Sequence, residues 1–166
     1  LICTKHFKMN KYIKIVITVA ICLTVGYLSS LVTQESIETW YPTIKKPSFN
    51  PPNWIFAPVW TLLFVLMGIA VGLVWDKYEE NKELVKKGML FFGIQLFFNA
   101  LWSYLFFGLH NLLLASIEII LLLLLIFETY LIFKKLDKKI SFLLIPYMLW
   151  VGFATILTIT IYILNI

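Results

Sequence analysis

The sequence is short of charge and contains no arginine. Of its 166 residues, 14% are charged and 61% are hydrophobic, and all 14 basic residues are lysine. A soluble domain is typically about 25% charged and about 45–50% apolar. Because a soluble globule of this composition would expose far too much apolar surface, we exclude a soluble enzyme and a disordered chain. The composition predicts an integral membrane protein.

Residues for conventional chemistry are equally scarce. The two cysteines, Cys3 and Cys22, do not form a CxxC pair, which weighs against a disulfide scaffold and against a metal or redox role. His6 and His110 are the only histidines in the sequence. A role for His110 as a haem ligand is less favoured than a structural role. The sequence also lacks a glycine-rich phosphate loop, an HExxH motif and a nucleophile elbow. We therefore expect no required cofactor and no bound metal.

Long apolar runs make up most of the chain. A helix that crosses a bilayer needs about 20 apolar residues. Five runs meet this length, and they predict an all-α bundle of five transmembrane helices at residues 13–33, 55–75, 89–109, 111–133 and 140–163. This assignment gives a cytoplasmic tail at 1–12, a membrane domain at 13–166 and a structured outer loop at 34–54.

The lysines predict the orientation of these helices. Twelve of the 14 lie in the N-terminal tail and in the second and fourth connections, whereas the first and third connections contain only Lys45 and Lys46. By the positive-inside rule, the N-terminus is inside and the C-terminus is outside. The first run is too long for a signal peptide, so we keep it as a helix, and Met9 is a candidate initiator.

The first connection is rich in proline and aromatic residues. Proline fixes φ and disfavours helix at the preceding residue, so a loop with four prolines is stiff. Two interpretations stay open: a structured lid over the outer mouth of the bundle, or an aromatic belt at the level of the lipid headgroups. The residues concerned are Pro42, Pro47, Pro51, Pro52, Trp40, Tyr41, Phe49 and Trp54.

Polar side chains interrupt the third and fourth spans. Gln95 and Asn99 are four residues apart and share a helix face, either to hold helices together or to contact a ligand. Glu118 and Glu128 project from faces about 80° apart. Glu128 lies near the inner end, where it can reach the headgroups or a lysine, so Glu118 is the stronger functional candidate.

Helical spacing predicts packed faces on the second and fifth spans. Gly68 and Gly72 form a GxxxG pair, for which packing inside the monomer is favoured over a dimer contact. Pro146 is a candidate kink in the last span. On the second span, the face that begins with two aromatic residues is Trp60, Phe64, Met67 and Val71. On the fifth span, the corresponding face is Tyr147, Trp150, Ala154 and Thr158.

These motifs together resemble the TspO/MBR family, the tryptophan-rich sensory proteins related to the mitochondrial translocator protein. The resemblance is carried by WYPTIKKPSFNPPNWIFAPVWTLLFVLMG, by QLFFNALWSYLFFGLHN and by PYMLWVGFATILTITIYILN, in that order. It implies a five-helix protein of the bacterial cell membrane, often a homodimer, with a pocket beneath the first loop. The implied ligands are porphyrins such as protoporphyrin IX and haem, with sterols and benzodiazepine-type drugs in animal members.

The resemblance also implies site residues. Trp60 and Trp150 match the two pocket tryptophans that are linked in the family to light-dependent breakdown of porphyrin, and these two are the only candidate catalytic residues. Phe49, Thr158 and the terminal ILNI depart from family patterns, and the last makes sterol binding through the animal motif doubtful. The full candidate ligand-binding set is Trp40, Tyr41, Pro51, Trp60, Phe64, Asn99, Trp102, Tyr147, Trp150 and Ala154.

Three functions remain open from the sequence. The first is a porphyrin-binding membrane receptor or sensor. The second is light-dependent degradation of porphyrin by an enzyme without an acid–base or nucleophile set. The third is a transporter of porphyrin or another amphipathic solute, although no inverted repeat or coupling-ion site supports it.

Overall fold

A computed structural model describes residues 9–166, and every described element is helical. Cys3 and His6, and with them the candidate roles of the N-terminal tail before Met9, lie outside the described residues. The helices are α1 (Lys11–Thr39), α2 (Phe56–Asp76), α3 (Lys82–Ser103), α4 (Leu112–Leu136), the short α5 (Lys138–Ser141) and α6 (Ile145–Leu164). Five helical segments are long and apolar enough to cross a membrane, which confirms the predicted fold class.

The helices extend beyond the predicted spans at several ends. α1 continues to Thr39 rather than ending near residue 33, and α3 begins at Lys82 rather than near residue 89. Hydropathy finds the part of a helix that matches the hydrocarbon, whereas capping residues set the true ends. Asn10, Asn81 and Asn111 each accept a hydrogen bond from a backbone N–H in the first turn of α1, α3 and α4.

The contacts between α1 and α2 depend on glycine. A methyl group at Gly68 would lie 2.5 Å from the Val19 α-carbon, and one at Gly72 would lie 2.7 Å from that of Ile15. The Thr18 hydroxyl donates to the Gly68 carbonyl over 2.7 Å. The GxxxG pair therefore packs within the monomer, as favoured from the sequence.

One end of the bundle carries most of the ion pairs and is called the lysine end here. Lys14 of α1 binds Asp76 of α2 over 2.8 Å, and Lys77 lies 3.7 Å from Asp137, between α4 and α5. The backbone N–H of Lys139 donates to the Asp137 carboxylate, and chiefly for this reason the pKa of Asp137 is lowered. These pairs fasten the helix ends to one another.

Pro146 marks the start of α6 rather than a kink inside it. Proline lacks an N–H, so it fits in the first turn of a helix, where that donor has no partner in the helix. The chain runs through α5 and a 3₁₀ turn at Phe142–Leu144 before α6 begins at Ile145. The break in the last span thus lies one turn before the proline.

The opposite end, called the loop end, contains the first connection, the α3–α4 turn and the C-terminus of α6. His110 adopts a left-handed φ of 53° after a π-helical turn at Tyr104–Gly108. Its Nε2 is 3.0 Å from the Ser36 hydroxyl, and its ring stacks on Trp40 with centroids 4.2 Å apart. This contact fixes the end of α1 to the α3–α4 turn. The side of the membrane on which each end lies stays a prediction.

Candidate ligand cavity

A cavity of about 420 Å³ lies between α1, α2, α3 and α6, beneath the first connection. This volume is within the range of about 300–1,000 Å³ that is typical of small-molecule sites. Its walls are mainly apolar, and its aromatic members come from four helices, from the turn after α3 and from the loop. They are Tyr27, Tyr41, Phe56, Trp60, Phe64, Trp102, Phe106, Phe107 and Trp150.

The structure brings seven of the ten predicted binding residues together around this cavity. They come from the loop and from three separate helices, so no single sequence motif contains them. The seven are Tyr41, Trp60, Phe64, Asn99, Trp102, Trp150 and Ala154. Contact of each with a ligand stays a prediction.

The other three predicted residues are not among those that line the cavity. Trp40 lies between His110 and Phe106, where it holds the loop end together. Pro51 is within the loop, and its carbonyl accepts from the Asn50 amide over 3.1 Å. Tyr147 is fully buried behind Asn99, because it points into the α3 side of the bundle near the start of α6.

The first connection is a structured cover for the cavity. The Tyr41 hydroxyl donates to the Asn50 side chain, and the Lys46 ammonium donates to the carbonyls of Tyr41 and Ile44 over 2.6 and 3.0 Å. Asn165 exchanges two hydrogen bonds with the Lys45 backbone, so the loop is fastened to the end of α6. These hydrogen bonds fit the interpretation of the first connection as a structured lid over the cavity.

Other aromatic residues of the loop fit the belt interpretation instead. Trp54 is 73% exposed, and Phe49 is 47% exposed with one edge-to-face contact to Phe153. Tyr41, in contrast, is buried, and burial raises its pKa to about 12 against the opposing effect of its hydrogen bond to Asn50. The Tyr41 hydroxyl is therefore uncharged at neutral pH, and the loop combines both roles.

The indoles of Trp102 and Trp150 and the amide of Asn99 supply part of the polar surface of the cavity walls. The Nε1 atoms of Trp102 and Trp150 are buried and have no hydrogen-bond acceptor among residues 9–166. The Asn99 amide donates to the Tyr147 hydroxyl over 3.0 Å, and that hydroxyl donates to the Gln95 carbonyl oxygen over 2.8 Å. Gln95 thus holds helices together, while Asn99 does so and also lines the cavity.

The contribution of α1 was missed in the sequence. The loop-end half of α1 turns a polar stripe toward the cavity that consists of Ser29, Ser30, Thr33 and Gln34. Together with Leu23, Tyr27 and Ile37, these residues recur every three or four positions, a spacing that could have revealed the stripe. Hydroxyl side chains are common in transmembrane helices, so composition alone does not distinguish such a stripe.

The cavity opens sideways, between α1 and α2. Its exposed lining residues lie on α1 and on or just before α2, whereas those of α3 and α6 are buried or half-buried. Toward the lysine end, the opening stops where the Phe64 ring lies against Gly26. The contact is close, because a methyl group added at Gly26 would lie 2.5 Å from the Phe64 ring. The exposed lining residues are Leu23, Tyr27, Gln34, Asn53, Ala57 and Thr61.

The described residues offer no evident metal centre. No group of three or more histidine, cysteine, aspartate or glutamate side chains within residues 9–166 is placed to hold a metal ion. His110 does not line the cavity, because its ring is stacked on Trp40 and its Nε2 is bonded to Ser36.

This fold and cavity define a class: multi-pass membrane proteins with five spanning helices around one aromatic site. Within that class, the chain belongs to the TspO/MBR family, whose profile matches residues 18–164. The predicted resemblance and the predicted localisation in the bacterial cell membrane are both confirmed.

Three relatives illustrate the breadth of the family. The tryptophan-rich protein TspO of Chlorobaculum tepidum is 42% identical over 162 residues, which are 95% of this chain and 99% of that protein. The tryptophan-rich protein TspO of Archaeoglobus fulgidus is 40% identical over 153 residues, or 92% of this chain and 97% of its own length. The translocator protein of Ovis aries is 32% identical over 133 residues, which are 80% of this chain and 78% of that protein.

Proposed function

We propose that the cavity binds a flat, conjugated tetrapyrrole such as protoporphyrin IX or haem, and that the protein acts as a membrane receptor or sensor for it. The observation that carries this proposal is the placement of three tryptophans, Trp60, Trp102 and Trp150, around one cavity. Aromatic rings stack favourably with flat π-systems, and they add about 0.5–1.5 kcal/mol per contact beyond the area they bury.

The polar groups suit the edge of such a ligand. The unpaired indole N–H groups of Trp102 and Trp150 need acceptors, since a buried donor without a partner costs about 1–3 kcal/mol. Carboxylate substituents are strong acceptors, and their charge favours the open side of the cavity near Gln34 and Asn53. A ring placed deep among the tryptophans with its carboxylates at the α1–α2 opening meets the second of these requirements.

A titration in the dark tests this proposal. Purified protein in detergent or nanodiscs is titrated with protoporphyrin IX while tryptophan fluorescence is followed. We expect saturable quenching, because three of the six tryptophans lie against the proposed site. Quenching that stays linear over the whole range, as it is with free tryptophan, would contradict binding.

One observation favours a second activity in light. Trp60 and Trp150 line the same cavity from α2 and α6, so a bound ring would lie beside two indoles that can donate electrons. In this activity dioxygen oxidises the ring. The W60F/W150F variant keeps two aromatic rings in the cavity, and we expect it to lose light-dependent breakdown of porphyrin. Unchanged breakdown would exclude these residues.

We also infer a homodimer, for which α3 offers a contact surface. Leu90 and Phe97 are 62% and 64% exposed on α3, and an added methyl group at Gly93 between them would meet open space. Small residues in membrane helices allow the close approach of a second helix.

A further inference from the structure

Glu118 of α4 is a carboxyl group in the interior of the bundle that has no counter-charge among residues 9–166. Its side chain is 5% exposed, and neither oxygen has a hydrogen-bond donor or a salt-bridge cation among residues 9–166. Glu128 on the same helix is exposed. An ionised carboxylate without a partner is among the most costly groups to place in an apolar interior.

Glu118 is not isolated from other polar groups. α4 packs along both α3 and α6, which contribute Gln95 and Tyr147. Because α3 and α4 are antiparallel neighbours joined by a short turn, Glu118 and Gln95 are buried within the same helix pair, and Tyr147 donates to Gln95. The helices packed against α4 contribute the Tyr147 phenol from α6 and the neutral amides of Gln95 and Asn99 from α3.

The Gln95 side-chain amide is a second buried polar group that lacks a partner for one of its atoms among residues 9–166. Its side chain is fully buried, and its Nε2 has no acceptor in the part of the chain that the structure describes. The orientation of the amide is set by the chain of bonds from Asn99 to Tyr147 to Gln95, in which the Gln95 oxygen accepts from Tyr147. The free amide N–H groups of Gln95 disfavour a metal cation and favour an oxygen acceptor.

We propose that Glu118, Gln95 and Tyr147 form a buried proton-binding site, in which the neutral Glu118 carboxyl is joined by ordered water to the Gln95 amide. A protonated carboxyl supplies one O–H donor and keeps acceptor capacity, so one water can accept from Gln95 and donate to Glu118. No other bond is formed or broken, because the site only gains or loses a proton.

This site is connected to the ligand cavity. Asn99 lines the cavity and donates to Tyr147, whose hydroxyl in turn donates to Gln95 of the proposed proton site. A change at Asn99 therefore alters the hydrogen bonding of Tyr147 and, through it, the environment of the Glu118 carboxyl. The site binds its proton whether or not the cavity binds a tetrapyrrole, so the two proposals can fail separately.

Infrared spectroscopy of the full chain in lipid tests the proton directly. A protonated carboxyl has a C=O stretching band that is absent from a carboxylate and that shifts in D₂O. We expect this band at neutral pH in the wild type and in E128Q, and its loss in E118Q. The same band in E118Q, or none in the wild type, would overturn the proposal. If E118Q does not fold, Y147F gives the second test, because removal of the hydroxyl must shift the band.

The connection to the cavity is tested with a matched pair on α3. N99A removes the donor to Tyr147, whereas S103A removes a hydroxyl that lines the cavity one turn away. We expect N99A, but not S103A, to shift the Glu118 band without ligand. Equal band positions in N99A and the wild type would overturn the connection.

Deprotonation of the site also has a consequence for stability. Above the ordinary carboxyl pKa of about 4.3, the unfolded wild type releases this proton while the folded protein keeps it, so unfolding becomes more favourable as the pH rises, whereas E118Q has no such proton. Thermal stability should therefore fall more steeply with rising pH in the wild type than in E118Q. Parallel curves for the two proteins would contradict a proton bound at Glu118.

Discussion

At the scale of single residues, Tyr41 shows how one side chain combines several functions. Its ring packs against Phe106 and Phe107, and the Lys46 ammonium lies 4.8 Å from the ring centroid. Its hydroxyl binds Asn50, nine residues further along the loop. The residue therefore belongs to the wall of the cavity and also fixes the loop that covers it.

We predict that Tyr41→Phe loosens the loop without unfolding the bundle. The ring contacts remain, but a hydrogen bond worth about 1 kcal/mol is lost, which corresponds to a roughly fivefold faster release of a bound ligand. Stopped-flow measurement of protoporphyrin release checks this, with Tyr12→Phe, at a 73% exposed position, as the control. Equal release rates in wild type and Tyr41→Phe would show that the loop does not hold the ligand.

The pH dependence of the loop follows from the same residue. The pKa of Tyr41 is raised to about 12 in the folded protein, against about 10 for an unperturbed tyrosine. Its contribution to stability is fully present below about pH 10 and is lost as the pH rises toward 12. Proteolysis of the loop should therefore be constant from neutral to mildly alkaline pH in the wild type.

Single residues also show how far the sequence could predict the site. Helical spacing and the family motifs grouped Trp60, Trp150 and Ala154, and these three line one cavity, while their contact with a ligand stays a prediction. The same spacing grouped Tyr147 with Trp150, although Tyr147 points away from the cavity to bind Asn99 and Gln95. Spacing defines a helix face, but the neighbouring helices decide which part of that face meets the cavity.

At the scale of helices, the pair α1–α2 has two different halves. Toward the lysine end, Gly68 and Gly72 bring the two backbones into contact. Toward the loop end, the helices line the cavity with hydroxyl groups and leave its side open. The number and type of the helices followed from hydropathy, but the opening did not, because it depends on how two helices separate.

We predict that Gly68→Ala destabilises the protein by forcing α1 away from α2. The added methyl group would meet the Val19 backbone at 2.5 Å as well as the Val19 side chain, and backbone cannot rotate away, so a cost of about 1–3 kcal/mol is expected. Gly152→Ala is the matched control, since its methyl group meets open space on α6. Thermal unfolding in detergent compares the two, and a similar midpoint for Gly68→Ala and the wild type would refute tight packing at this seam.

At the scale of the whole molecule, the described chain has a fastened end and a covered end around one cavity. Salt bridges join the helices at the lysine end, while Tyr41, Lys46 and Asn165 hold the loop at the other end. With both ends closed by these contacts, the α1–α2 side is the open route to the cavity. This arrangement suits a ligand that partitions into the bilayer.

The proposed dimer gives a prediction at this scale. If α3 forms the contact, Gly93→Leu places a bulky side chain between the two copies and shifts the population from dimer to monomer. Gly152→Leu adds the same bulk on α6 and should leave the mass unchanged. Light scattering of the purified protein measures the mass of each variant, and a dimer that survives Gly93→Leu would exclude this face.

The central claim is that the cavity beneath the loop is the tetrapyrrole site, and a pair of variants on α6 tests it most directly. Ala154→Leu fills the cavity beside Trp150, while Gly152→Leu adds a larger side chain where an added methyl group meets open space. In dark titrations with protoporphyrin IX, we predict that Ala154→Leu binds about tenfold more weakly or worse, which is about 1.4 kcal/mol, and that Gly152→Leu binds as the wild type does. Equal affinities for Ala154→Leu and the wild type would place the tetrapyrrole elsewhere and contradict the account.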